Sequence, residues 1–256
     1  MELLKDINAL KIWRSRYQNV GLVPTMGALH AGHMSLVSLA QENSDHVLVS
    51  IFVNPTQFDK TEDLEKYPNK LEEDLEQLNK AGVSAVFLPD FDQLYPDAYR
   101  YQITEIEFSK ILCGEHRNGH FDGVLTVVMK LFNLVKPKQA YFGEKDFQQL
   151  SLIKDMVQAF FLEIQIVAAP IIRETDGLAM SSRNTRLTAT ERKIAPQLYA
   201  TLKSNLALHK KHQHLTDIGF DVDYLEVMND RLLCAASLGD VRLIDNIPYG
   251  SSGDSA

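Results

Sequence analysis

Short apolar runs alternate with helical patterns along the first two thirds of the chain, and this rhythm is the tightest constraint on its fold. Val20 to Pro24 leads into a helical pattern from about Gly32, Val47 to Asn54 leads into an acidic helical pattern, and Val83 to Leu88 follows. Gln139 to Phe142 precedes a helix over Asp146 to Phe160, and Glu163 to Ala168 closes the series. Strands separated by helices in this way form βαβ units and a parallel sheet wrapped by helices. The expectation is a Rossmann-like, doubly wound α/β domain over residues 1–172. In such sheets ligands bind beyond the carboxyl ends of the strands. The residues that packing explains least gather there: Thr25 to His33, Asn54 to Phe58, Gly143 to Asp146 and Ile172 to Asn184.

From about Arg173 the texture changes. One long helical stretch, Thr190 to Leu208, is followed by a polar connector with the run His-Lys-Lys-His-Gln-His, and by two strand-like runs, Asp223 to Val227 and Val241 to Asp245. Together they read as a small α+β domain over 173–256. His209, His212 and His214 read as solvated in that connector, and the polar tail Gly250 to Ala256 as frayed.

A net charge of −8 argues against a nucleic-acid surface, which needs clustered Lys and Arg. The acid is also local, with four Asp or Glu before Tyr67 and four after it between Asp59 and Glu76. Leu71, Leu75 and Leu78 recur there at helical spacing, so this segment reads as a helix with a solvated acidic face, or as a metal or subunit contact. The apolar stretches Val47 to Val53 and Val124 to Val135 are too short or too broken to span a membrane. The opening MELLKDINAL carries acid and lacks a signal-peptide pattern, so the expected location is the cytoplasm. Cys113 and Cys234 fit two reduced thiols rather than a disulfide.

The segment Pro24-Thr25-Met26-Gly27-Ala28-Leu29-His30-Ala31-Gly32-His33 sits between a strand and a helix. Gly27 and Gly32 allow backbone to approach a ligand, and the opening turn of the helix offers N–H groups and a positive dipole end to phosphate. His30 and His33, three apart, either face one anion together or belong to a tight turn with one ring buried and one exposed. No third ligand stands at zinc spacing, so no metal site is expected. Met180-Ser181-Ser182-Arg183 offers hydroxyls, amides and one fixed cation, suited to polyphosphate, and equally suited to capping the turn before Thr185. Gly143-Glu144-Lys145-Asp146 is a further phosphate-compatible strand end with Lys145 as its cation.

Asn54 and Gln57 flank a Pro turn, and both can donate and accept, which fits a ligand carrying hydroxyl and carboxylate together. Gln149, one helical turn beyond Lys145, is a third carboxamide for a small polar substrate. Either role competes with simple solvent exposure. Arg117, His120 and Asp122 precede an apolar helix, where an N-terminal Asp can be no more than a cap.

Taken together the chain resembles the pantoate–β-alanine ligases. PTMGALHAGH at 24–33, SIFVNPTQF at 50–58, GHFDGVLTVV at 119–128, FGEKDFQQL at 142–150, DGLAMSSRN at 176–184, and DYLEV and RLIDN carry the likeness. His-x-Gly-His and Met-Ser-Ser-Arg are similar to the nucleotide signatures of class I aminoacyl-tRNA synthetases, whose fold that family shares. The resemblance implies that pantoate is adenylated by ATP and that β-alanine then displaces AMP. It implies ATP contacts from residues 26–33 together with Thr25, from Gly143, Glu144, Lys145 and Asp146, from Ile172, and from Met180, Ser181, Ser182 and Arg183. His33 takes the place of the family's proton donor, with His30 beside it on the phosphates. Gln57 and Gln149, with Asn54, are expected to hold pantoate, and Gln57 also β-alanine. Mg²⁺ carried with the triphosphate and a homodimer through the first domain are further expectations.

Two departures from the family pattern stand out. Thr175 occupies a place where Pro is expected, which would loosen the loop leading to Met180, and the second domain is short, which bears on its role as a lid over the nucleotide. A nucleotidyltransferase acting on a small phosphorylated acceptor shares the His-x-Gly-His geometry, but its acceptor phosphate would call for basic residues where this chain has carboxamides. A non-catalytic nucleotide-binding module would not need both histidines together with Lys145 and Arg183. A synthetase charging tRNA is disfavoured by the acidic balance.

Overall fold

The computed structural model describes residues 1–250; the polar tail 251–256 lies outside the described residues. Two compact units emerge, one comprising 1–144 and 148–170, the other 145–147 and 171–256.

The first unit is built on six parallel strands: β1 (Glu2–Leu4), β2 (Val20–Thr25), β3 (His46–Ile51), β4 (Ala85–Phe87), β5 (Gln139–Gly143) and β6 (Gln165–Ala169), in the order β1-β4-β3-β2-β5-β6. Leu22, Val23, Val47, Leu48, Val49, Ala85, Val86, Phe87, Ala140 and Tyr141 are all buried, as a parallel sheet covered on both faces requires. The chain runs outward from β2 to β3 and β4, then crosses to β5 and β6 on the other side. The switch point therefore lies between β2 and β5, beside the turn that starts at Thr25.

The helix Ala31–Asn43 packs its Leu36, Val37 and Ala40 into the core with Val23, Val47 and Tyr141. The helix Ile7–Ser15 and the strand β1 were not evident in the sequence; the helix buries Leu10 and Trp13. Its Arg14 donates to the carbonyls of Val135 (2.5 Å) and Lys136 (2.9 Å), closing the C-terminus of the helix His120–Val135. Among the described residues no helix is long and apolar enough to cross a membrane. Cys113 and Cys234 are buried and form no disulfide.

The second unit holds the antiparallel strands β7 (Asp221–Met228), β8 (Arg231–Leu238) and β9 (Val241–Pro248). Asn229 and Asp230 both take positive φ (49° and 57°), the two-residue turn that matches strand twist and makes β7 and β8 a tight hairpin. The expected helix over Thr190 to Leu208 is divided instead into Ala189–Ile194 and Gln197–Lys203, because Pro196 has no N–H to continue the ladder. The expected polar connector is itself a helix, Leu208–Asp217. Its buried side includes Leu215 and Lys211, whose ammonium donates to the carbonyls of Thr201 (2.9 Å), Leu202 (2.7 Å) and Ser204, and so caps the preceding helix. Burial pushes the Lys211 pKa below its ordinary value.

One glycine fixes how closely a helix meets the turn after β3. A Cβ on Gly123, within the helix His120–Val135, would stand 2.2 Å from the carbonyl oxygen of Thr56. In an open helix Gly→Ala gains about 0.8–1.0 kcal/mol. Here overpacking against backbone reverses the sign: Gly123→Ala is expected to destabilise by about 1–3 kcal/mol in urea unfolding. Unchanged or raised stability would contradict this packing.

Candidate functional site

The turn after β2 is shaped from within. The Thr25 hydroxyl donates to the Ser50 carbonyl (2.9 Å) and accepts the Gly27 N–H (3.2 Å). Gly27 (φ 79°) and Ala28 (φ 51°) both enter the left-handed region, which for alanine costs on the order of 1–2 kcal/mol. That conformation turns the N–H groups of Ala28 and Leu29 toward one carboxylate, Asp74, at 2.8 and 2.7 Å. Asp74 is 1% exposed.

The helix that follows starts on a reciprocal cap. The Gly32 N–H donates to His30 Nδ1 (3.1 Å), and the His30 N–H donates to His33 Nδ1 (3.3 Å). An imidazole that accepts at Nδ1 is neutral and carries its proton on Nε2, so both rings are fixed as Nε2–H donors. The ring centroids lie 4.1 Å apart and both histidines are half-buried, not one buried and one exposed. The His33 N–H bonds the His30 carbonyl at 2.8 Å. The amides expected to meet phosphate, those of Gly27, Ala28, Leu29, Gly32 and His33, are therefore engaged inside the protein.

At the turn after β3, Asn54 is 1% exposed and uses its whole carboxamide internally. Its Oδ1 accepts from Thr56 Oγ1 and Tyr95 OH, both at 3.0 Å, while its Nδ2 donates to Gln57 Oε1 (3.0 Å) and the Gly123 carbonyl (3.3 Å). Burial pushes the Tyr95 phenol up to about 12, so it stays a donor. Asn54, expected to bind substrate, is buried and sets the orientation of Gln57. Since Gln57 Oε1 faces Asn54, the amide nitrogen of Gln57 is the end left to donate elsewhere. The Gln57 carbonyl accepts from His120 Nδ1 (2.7 Å) and Arg117 Nη2 (3.3 Å). Arg117 Nη1 meets His120 Nε2 at 2.9 Å and its Nε bonds Asp59 at 3.2 Å.

Gly143 ends β5, and Gln149 lies half-buried on the first turn of the helix Phe147–Ala159. Its neighbour Gln148 is buried and bonds the backbone of Phe108, Ile111 and Cys113. Gly143, Glu144 and Gln149 belong to the first unit, Lys145 and Asp146 to the second.

In the second unit, Ser181 accepts the Arg183 N–H (3.3 Å) and caps the short turn Ser182–Arg186. Met180 N–H bonds the Ile172 carbonyl (3.0 Å), and Arg173 bridges Ala179. Arg192 holds Glu174 (2.5 Å) and Asp176 (2.6 Å) on either side of Thr175. Thr175 thus sits in a tied hairpin, not a loosened loop. Among the described residues no group of three or more His, Cys, Asp or Glu is placed to hold a metal ion.

Sequence reasoning missed Asp74 and Tyr95 as parts of this site, and singled out Arg117 and His120 without giving them a role. Asp74 had a signal: it lies three after Leu71 and four before Leu78, on the apolar face of the helix Leu71–Lys80, where a carboxylate needs a partner. Its face of the acidic helix is not solvated.

A doubly wound parallel sheet with a histidine pair at its switch point defines an α/β protein of the class whose ligands bind beyond the strand ends. The family model for pantoate–β-alanine ligase matches residues 2–248. A pantothenate synthetase from Bdellovibrio bacteriovorus is 51% identical over 96% of this chain and 98% of its own. One from Aquifex aeolicus is 43% identical over 95% and 96%. Among solved structures, the pantoate–β-alanine ligase from Francisella tularensis, complexed with beta-gamma ATP and β-alanine, superposes with a TM-score of 0.93 at 40% identity, covering 97% of each chain. The pantothenate synthetase from Thermus thermophilus gives 0.92 at 37% identity over 98% and 100%. The chain belongs to the pantoate–β-alanine ligase family. It is a ligase that joins pantoate and β-alanine, and the nucleotidyltransferase reading falls away. The near-complete coverage of the Bdellovibrio relative means that the short second domain is not peculiar to this chain.

Removing the Asp74 carboxylate leaves two buried amides without an acceptor, each costing about 1–3 kcal/mol. In Asp74→Ala, hydrogen exchange at the Ala28 and Leu29 amides is expected to accelerate by about 10-fold or more beyond the change at the slowest amides of the sheet, which report the lowered global stability. Unaltered protection at both amides would remove Asp74 as the anchor of the turn.

Proposed function

We propose that the ligase works through an acyl adenylate made from ATP. A carboxylate oxygen of (R)-pantoate attacks the α-phosphorus, the bond from that phosphorus to the bridging oxygen breaks, and pantoyl adenylate and pyrophosphate form. The amine of β-alanine then attacks the acyl carbon, the acyl C–O bond breaks, AMP leaves, and the nitrogen gives up a proton to yield pantothenate. The chemistry is positioning and charge neutralisation.

The observation that carries this reading is the reciprocal capping of His30 and His33, which fixes two adjacent Nε2–H donors at the switch point. Donors locked before the ligand arrives cost no reorganisation when charge develops on phosphorus. The family likeness casts His33 as a proton donor. With its Nδ1 accepting an amide, we read it as a neutral hydrogen-bond donor that stabilises charge. Lys145, Ser181, Ser182 and Arg183 take the charge that grows on the leaving pyrophosphate. Thr25, Met26, Gly27, Gly32, Gly143, Glu144, Asp146, Ile172 and Met180 complete the ATP contacts, Thr25 through the shape of its turn. Gln57 and Gln149 hold pantoate, Gln57 also meets β-alanine, and Asn54 acts through Gln57.

Apart from Glu144 and Asp146, the groups assigned to ATP are imidazoles, a cation pair, hydroxyls and backbone rather than carboxylates. This donor set fits Mg²⁺ held mainly by phosphate oxygens and water, where it neutralises phosphate charge. We further assign the enzyme to the cytoplasm and to a homodimer through the first unit, whose surface leaves Phe160 and, at 91% exposure, Phe161 uncovered. Sedimentation equilibrium of the full chain is expected to give twice the monomer mass, and a monomer at micromolar concentration would refute the dimer.

The decisive measurement is exchange of labelled pyrophosphate into ATP, with Mg²⁺ and pantoate but without β-alanine. Pantoate-dependent exchange is expected; its absence in folded protein that makes pantothenate would exclude the adenylate. His33→Ala and Lys145→Ala should each slow exchange by about 10-fold or more, roughly 1.4 kcal/mol in barrier. A change below about twofold in either would remove that residue's assigned role.

A further inference from the structure

The run Arg242-Leu243-Ile244-Asp245-Asn246 is a motif that the substrate roles above leave unused. It lies on β9, and its last two side chains are buried and turned to backbone and cations within the second unit. Asn246 Nδ2 donates to the carbonyl of Lys145 at 3.1 Å, and its Oδ1 accepts Arg231 Nε at 2.6 Å. The Arg231 guanidinium also lies over the ring of Phe147, 5.2 Å from its centroid, within cation–π range. Residues 145 and 147 are thus both gripped, one by a hydrogen bond and one by a stacked cation. The Asn246 N–H is held in turn by Asp245 Oδ1 (2.7 Å), whose carboxylate pairs with Arg173 at 2.6 and 2.8 Å.

We propose that Asn246 is a positioning residue for Lys145, fixing the backbone from which the ammonium reaches the triphosphate. This rests on the reading of Lys145 given above. Lys145 follows β5 in sequence, yet its backbone takes its place from the small antiparallel sheet. A lysine is a point charge on a flexible stem, so an unfixed backbone adds to the conformations over which that charge is spread. Misplacement by about 1 Å can cost as much as 10²-fold in rate. Asparagine is suited to the place because it donates to the Lys145 carbonyl and accepts from Arg231 at once. Aspartate would keep the Arg231 bond but set a second acceptor against the carbonyl.

The test is a double-mutant cycle in the full-length chain, read by pantoate-dependent pyrophosphate exchange with kcat and the KM for ATP and pantoate, alongside thermal melting. Asn246→Ala and Asn246→Asp are expected to lower kcat by about 10-fold or more while the pantoate KM stays within about twofold. In a Lys145→Ala background, Asn246→Ala should change exchange by less than about twofold, because the group it positions is gone. Losses that multiply in the double variant would overturn the positioning role, as would an Asn246→Asp enzyme within about twofold of the parent. Lys145→Ala exchanging at the parental rate would instead overturn the triphosphate role of Lys145 and this proposal with it. Should Asn246→Ala fail to fold, the isosteric Asn246→Asp, alone and with Lys145→Ala, carries the same comparison.

Discussion

The carboxylate of Asp74 is the contact on which the turn after β2 depends. Two consecutive amides, from Ala28 and Leu29, converge on it in a left-handed stretch that alanine would not adopt unaided. In many doubly wound proteins the comparable turn keeps its amides open and closes them on a ligand's phosphate. Here a buried side chain of the protein occupies that nest. The turn accordingly has its shape before any anion arrives. The same turn sets the rings of His30 and His33 side by side, the pair to which the proposed function gives the work of meeting an anion.

Orientation by a second layer of side chains recurs at Gln57. A carboxamide has a donor end and an acceptor end of nearly equal size, so its chemistry depends on which way it is turned. Tyr95 and Thr56 donate to Asn54 Oδ1, which forces Asn54 Nδ2 toward Gln57 Oε1. That turns the donor end of Gln57 away from Asn54, the end that the proposed function gives to pantoate. Meanwhile Arg117 and His120 hold the Gln57 backbone, and Gly123 lets the helix His120–Val135 come close enough to join in. The orientation of one half-buried carboxamide is thus set by the side chains behind it.

The strands β2, β3, β4 and β5 were legible because a strand buried on both faces reads as an unbroken apolar run bounded by turn residues. β1, three residues long, gives no pattern to detect. The helix Leu208–Asp217 was hidden by its composition: its inward positions, Leu208, Lys211 and Leu215, have helical spacing, but only if the aliphatic stem of a buried lysine is counted with the leucines. The histidine pair and the Ser-Ser-Arg turn were legible as local motifs. What local reading could not supply was the partner from another element: Asp74 for the turn at 27–29, Tyr95 for Asn54, Asn246 for Lys145. It also led to the expectation that the turn's own amides would face phosphate, which holds only while no other acceptor claims them.

Gly143 and Lys145 are two residues apart yet answer to different sheets, the first ending β5 and the second bonded through its carbonyl to β9. The division has a chemical reason. In the role proposed for Lys145, charge moves from the α-phosphorus toward the departing pyrophosphate, and a cation serving both ends of that path would not be pinned at its ammonium. Fixing the carbonyl of Lys145 limits where the stem begins while leaving its four carbons free to follow the charge. Arg173, in contrast, is held at its guanidinium by the paired oxygens of Asp245 and lies over Tyr199 at 3.6 Å, the arrangement expected of a cation that shapes a loop. Adjacent residues of one strand thus hold one cation by its charge and the other by its backbone.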